Sequence, residues 1–385
     1  GVFLLYSRSQ TEGQRLLTCI PAMLLCYWCF GYGAWLCLAL MLAAGIIAHH
    51  QKLSALLAVG ILLLPATQYP ATTWWSKPDL DREYVLSLDV EHYFGNIQKM
   101  RKHLETDRQI LWVTYYRNLY NATHPSEINS PVSLSRNLLA WNQPGTNGLI
   151  LPVNPSASFL SILFANELWF TLGDMTMAEH CAMLSMIFSP RNSGSRMIKR
   201  LAEINLVNGD DEAALKYLRI LDKTLLHKSW AEKRIPGQQT PRVKEWLEKK
   251  RRDIPTQDQL RSGNDAVTSL QNLVASNAGN LRAYEYLLCY HLLSKDLRSF
   301  VEDYVPGKVS SPIFAEALLI HLARQGNIRA EELIKYQIPV EIAKEFADYT
   351  RLYEAKDTSL KEKYGKTYWF YYHFATTEPG KESKP

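Results

Sequence analysis

From Leu16 to Ala48 the chain carries no Asp, Glu, Lys, Arg or His, and from Leu53 to Ser76 it again carries none. A run of roughly 18 apolar residues marks a bilayer span, and a soluble core rarely needs 33 uncharged residues in succession. From Lys77 onward charges return every few residues. The 385-residue chain is therefore expected to comprise a membrane module over 1–76, a helical domain over 77–377 and a disordered tail over 378–385.

A single helix through the first run would be about 50 Å long, against a hydrocarbon core of roughly 30 Å. Phe30-Gly31-Tyr32-Gly33 sits at its midpoint, where glycine permits a tight reversal. We therefore expect a hairpin of spans at 16–30 and 34–48, and a third span at 53–68 that Pro65 ends or kinks. Residues 1–6 read as the end of an earlier span, so the sequence is expected to start inside a longer protein. Trp74-Trp75 suits the interfacial aromatic belt. With this hairpin Arg8, Arg15, His49, His50 and Lys52 share one side, which the positive-inside rule makes cytoplasmic. The helical domain then faces outward. Neither run holds an intramembrane charge of the kind that marks ion pathways, so the module reads as an anchor.

The net charge of +5 is modest for this length and does not suggest nucleic acid, which usually leaves a concentrated basic face, so no nucleic-acid partner is expected. Cys19, Cys26, Cys29 and Cys37 fall in the apolar run. Cys181 and Cys289 either pair in an oxidising compartment or stay free and buried.

Beyond Asp81 the periodicity is helical. Ala214, Leu218, Leu221 and Leu225 form one apolar stripe, and Asp210-Asp211-Glu212 suits the positive end of that helix. The tetratricopeptide spacing, a Gly followed five residues later by a packing Ala and then a Pro, is matched by Gly173, Ala178 and Pro190, with Trp169 preceding. Gly209 with Ala214 repeats it 36 residues on; Gly95 with Met100 and Gly326 with Ala330 are degraded versions. The expected fold class is all-α: transmembrane helices followed by a tetratricopeptide-like α-solenoid. Between 230 and 264 the pattern breaks into a polar, solvent-exposed insertion with a short helix near Val243–Arg252, whose Lys249-Lys250-Arg251-Arg252 run reads as a solvated face. The aromatic run from Tyr368 to Phe374 reads as a terminal helix capping the core.

The stretch from Ser195 to Leu206, with Asn208-Gly209, Lys216-Tyr217-Leu218 and Trp230-Ala231-Glu232, and the stretch Ala283-Tyr284-Glu285-Tyr286-Leu287-Leu288 with Lys295-Asp296-Leu297, carry a resemblance. Together they resemble an uncharacterised membrane-protein family of Gram-negative bacteria with N-terminal membrane helices and a tetratricopeptide-like C-terminal half. The resemblance implies an envelope location and the repeat architecture and brings no catalytic residues; with the charge asymmetry above, the expected location is the inner membrane with the helical domain periplasmic.

Motifs for chemistry are missing from the sequence. Gly31-Tyr32-Gly33 lacks the strand a nucleotide loop needs, and no Walker, His-Glu-x-x-His or paired Cys-x-x-Cys sequence occurs. Glu179-His180-Cys181 offers three ligand types, but adjacent helical residues point about 100° apart. His291 and His321 lie in apolar helices and read as satisfied core groups. No catalytic, cofactor-binding or metal-binding residue is assigned, and no cofactor is expected. The expected partners are the lipid bilayer and a protein or peptide held by the helical repeats. The competing expectation is the C-terminal part of a polytopic envelope enzyme, for example one acting on lipid-linked sugars, with its catalytic loops upstream.

Overall fold

A computed structural model describes residues 77–105, 110–123, 148–151, 153, 159–188, 194–256 and 266–375. The expected spans 16–30, 34–48 and 53–68, residues 1–6, Pro190 and the tail 378–385 lie outside the described residues. Among the described residues no helix is long and apolar enough to cross a membrane. Their regular elements are all helices, as an all-α fold requires. The chain divides into two compact units between Tyr84 and Val85.

Helix α1 (Lys77–Phe94) runs across that boundary; α2 (Ile97–Leu104) and α3 (Leu111–Thr123) follow. Next come α4 (Phe159–Leu172), α5 (Met175–Phe188), α6 (Ser195–Asn208) and α7 (Asp211–Asp222), each packed on its chain neighbour. Short helices α8 (Lys228–Glu232) and α9 (Pro241–Arg251) bring the chain back against α7 and α6 respectively. The rest comprises α10 (Ala266–Ser276), α11 (Leu281–Leu293), α12 (Leu297–Asp303), α13 (Pro312–Arg324), α14 (Ala330–Lys335), α15 (Val340–Glu354), α16 (Leu360–Tyr364) and α17 (Tyr368–Phe374).

One local device makes three of these turns. At Gly209, φ is +82°, the left-handed conformation that glycine adopts at little cost. Asp210 N–H then donates to Asn205 O at 2.9 Å, closing the helix with a Schellman motif. The Asp210 side chain accepts from Ala213 N at 2.9 Å and so starts α7. Gly173-Asp174 does the same: Asp174 N–H donates to Trp169 O, and its carboxylate accepts from Met177 N. Lys295-Asp296 is a third copy, with Lys295 at φ +56° and Asp296 capping α12 through Ser299 N. Ala178 and Ala214, five residues beyond the two glycines, are fully buried and let helix pairs approach closely.

The stripe on α7 is shorter than expected. Ala214, Leu218 and Leu221 are buried, the two leucines with Ala202 and Ala231, but Leu225 is 96% exposed. Helix α7 ends at Asp222, and Thr224 Oγ1–H donates to Leu221 O, so Leu225 falls in the following turn. The degraded match at Gly326 keeps its left-handed turn, φ +64°, while Ala330 is exposed.

The stretch from 230 keeps a solvent-exposed side but is packed down on the core. Val243 and Leu247 are buried, and α9 packs on α6. Arg251 donates to Leu206 O at 2.8 Å and to Val207 O at 3.0 Å, satisfying carbonyls at the end of α6. Lys250 Nζ lies 3.5 Å from Phe170 O. Half of the basic run is therefore engaged in packing.

At the other end α17 does close the core. Trp369 is fully buried and its indole N–H donates to Glu316 O at 3.0 Å; Tyr368 and Tyr371 hydroxyls donate to Leu292 O and Leu293 O.

A buried charge network beneath a basic aromatic groove

Helix α6 presents Arg196, Lys199, Arg200 and Glu203 at i, i+3, i+4 and i+7, which places them on one face. The opposite side is apolar: Met197, Leu201, Ile204 and Leu206 are buried. That polar face meets Glu167, the single charged residue of α4, and Asp89 and His92 of α1.

Arg196 grips Asp89 with two nitrogens, at 2.5 and 2.8 Å, and reaches Glu167 Oε1 at 2.9 Å. The Tyr116 hydroxyl donates to the same Asp89 carboxylate. Arg200 donates to Glu167 Oε2 at 2.5 Å, to Glu203 at 3.0 Å and to Asn166 Oδ1 at 2.9 Å, and stacks 3.9 Å over Phe170. Asn166 in turn donates to Ala178 O, tying the network to the α4–α5 hairpin. Burial opposes ionisation of Glu167, but Arg200, His92 and Arg196 outweigh it and hold the carboxyl well below the usual range. Burial likewise disfavours the Arg196 cation, and Glu167 and Asp89 more than restore it. Every carboxylate here is committed to an arginine, so none is poised as a general base.

Above this network the charge is unbalanced. Lys199 Nζ lies 4.4 Å from the Tyr93 ring and 5.1 Å from the Trp230 ring. The Arg234 guanidinium lies 4.0 Å over Trp230, and its Nε has no hydrogen-bond partner. Lys250 Nζ sits 4.7 Å over Phe170, which stacks on Trp246. Burial and then Arg282 and Arg200 lower Lys250 to about 8. Lys199 is lowered by burial, which Glu203 opposes and Arg200 and Arg234 reinforce. Trp230 and Trp246 wall a groove of about 720 Å³, with Arg234, Arg242 and Lys233 around it.

The groove lies between α8 and the start of α9, inside the stretch the sequence reading set aside. No site residue was assigned there. The usable signals were the lone Glu167 in an apolar helix, which demands a buried partner, and the i, i+3, i+4, i+7 charges of α6.

The remaining candidates behave as structural groups. His291 is buried with Nε2 2.9 Å from Asp303, as a satisfied core histidine, while His321 is only partly buried. Cys181 and Cys289 are free and buried, and burial pushes the Cys181 thiol up to about 12. His180 is exposed beside buried Cys181, and among the described residues no three His, Cys, Asp or Glu side chains are grouped to hold a metal ion.

Fold and site together define an all-helical protein with a buried arginine–carboxylate lock under a cationic, aromatic-walled groove. The chain belongs to the family of unknown function DUF6057, which matches residues 53–375. No curated protein and no solved structure matches it.

Proposed function

We propose that this chain is a membrane-anchored, tetratricopeptide-like module that binds a protein or peptide partner in the bacterial envelope. The observation that carries the reading is the groove: aromatic walls and unpaired cations on a rigid helical frame suit adaptable recognition better than they suit catalysis. Repetition of the Gly-Asp turn with a buried Ala at 173–178 and 209–214 supports stacked helical hairpins. The uncharged runs at 16–48 and 53–76 support the anchor, and Arg8, Arg15 and Lys52 support an inner-membrane topology with the helical unit in the periplasm.

Two measurements test this. A reporter fused after Pro385 is active only outside the cytoplasm on this reading, so cytoplasmic activity refutes the orientation. Crosslinking in intact envelopes, followed by capture of the full chain, should retain a specific partner; a chain that retains none is not a binding module.

A further inference from the structure

The groove holds more positive charge than its own carboxylates neutralise. Lys199, Arg200, Arg234 and Lys250 share the field of Glu203, which is already bonded to Arg200. The other acids within reach are equally committed: Glu167 to Arg196 and Arg200, and Asp253 to Arg282. Among the described residues Lys199, Lys233, Arg234, Arg242 and Lys250 form no ion pair. Lys233 and Arg242 are exposed, but Lys199, Arg234 and Lys250 are partly buried cations without counter-charges; that is costly, and an anion arriving from outside relieves the cost.

The shape limits what that anion is. About 720 Å³ suits a few side chains. Trp230 and Trp246 offer indole surface to a flat or apolar group. The basic field is also local, because Glu232, Glu245 and Glu248 are exposed on the same two helices. A phosphate polymer running past the groove meets those carboxylates, whereas a short segment confined to it does not.

We propose that the groove between Trp230 and Trp246 takes a short acidic peptide segment, its aromatic or aliphatic side chain against the indoles and its carboxylates on Arg234, Arg242 and Lys233. This assignment rests on the binding-module reading and names the chemistry of its partner.

The test uses the full chain in detergent or nanodiscs and a random dodecapeptide display library. Selection is run in parallel on the native protein and on the Arg234→Gln/Arg242→Gln variant, with helicity of both checked by circular dichroism. The native chain should enrich peptides that combine Asp or Glu with an aromatic residue. The leading peptide, synthesised with a fluorophore, should bind the variant at least tenfold more weakly, and Trp246→Ala should weaken it separately. Replacing its acids by Asn and Gln should abolish binding, and raising the salt should weaken it. No enrichment, enrichment without acidic bias, or equal affinity for the variant overturns the proposal, as does displacement of the peptide by an oligonucleotide with higher affinity. Envelope crosslinking separates the two levels. If native chain and variant retain the same partner equally, the groove assignment fails while the module stands; if the native chain retains none, the module fails.

Discussion

Asn280 joins three segments that otherwise have no covalent reason to meet. Its Nδ2 donates to Leu172 O at the end of α4, 2.7 Å, and to Asp253 O after α9, 2.8 Å. Its Oδ1 accepts from Ala283 N at 3.0 Å and caps α11, and the residue is 2% exposed. The three bonds can be separated by substitution. Asn280→Ser keeps a capping oxygen but withdraws the amide from both carbonyls; at about 1–3 kcal/mol for each buried acceptor left unpaired, the cost should be roughly 2–6 kcal/mol. Asn280→Ala also loses the cap, adding about 1 kcal/mol. Asn280→Asp preserves the cap but aims a carboxylate oxygen at two carbonyl oxygens, so it should be the worst of the three despite being nearly isosteric. Urea unfolding of the full chain, followed by circular dichroism at 222 nm, ranks them through their midpoints. The expected order of loss is Ser, then Ala, then Asp. An Asp variant as stable as the Ser variant, or an Ala variant within about 0.5 kcal/mol of the native chain, refutes the argument.

Other outcomes follow from single contacts. Glu167→Ala removes the carboxylate that Arg196 and Arg200 share, leaving them Asp89 and Glu203, and should cost about 3 kcal/mol in the same assay. Because the Glu167 pKa is depressed in the folded state, its contribution is present above the unfolded carboxyl pKa and is lost as pH falls through the folded value; the native midpoint should therefore drop in acid more steeply than that of Glu167→Gln. Glu316 has the opposite sign: burial raises it to about 7, although Tyr368 N–H donates to it. Its favourable state is the protonated one, so stability should fall as pH rises from about 4.5 towards 7, and Glu316→Gln should flatten that slope and gain on the order of 2 kcal/mol at pH 8. Gly173→Ala places a Cβ 2.2 Å from Asp253 O at φ +90°, and thermal denaturation should show a loss of at least about 2 kcal/mol, whereas Gly209→Ala, with nothing within 4 Å, should cost about 1 kcal/mol. Cys181 should resist a thiol reagent in the folded chain and react only on unfolding; rapid labelling of the native protein contradicts its burial.

How much of this was legible beforehand differs from residue to residue. The Gly-Asp turns at 173–174 and 209–210 were readable because they are local: a left-handed residue followed by a capping acid acts over five or six positions, whatever surrounds it. Lys295-Asp296 makes the same turn without a glycine, so the pattern that found the other two passed over it. Leu225 shows the limit of periodicity, since the stripe continued on paper while the helix had already ended at Asp222.

The site was less readable for a different reason. Glu167 and the α6 charges announce a buried partner somewhere, but nothing in the linear order pairs Arg196 with Asp89, 107 residues away. Nor does it turn the proline-rich stretch after Trp230 back onto α6, or lay Lys250 on Phe170. By itself the sequence determined what acts over one or two turns: helix type, the uncharged runs at 16–48 and 53–76, the turn chemistry and the terminal aromatic cap. The tertiary structure alone decided which charges are neutralised and which are left over. Charge balance at a site depends on distance through space and on lost solvent, and both exist only once the helices have packed.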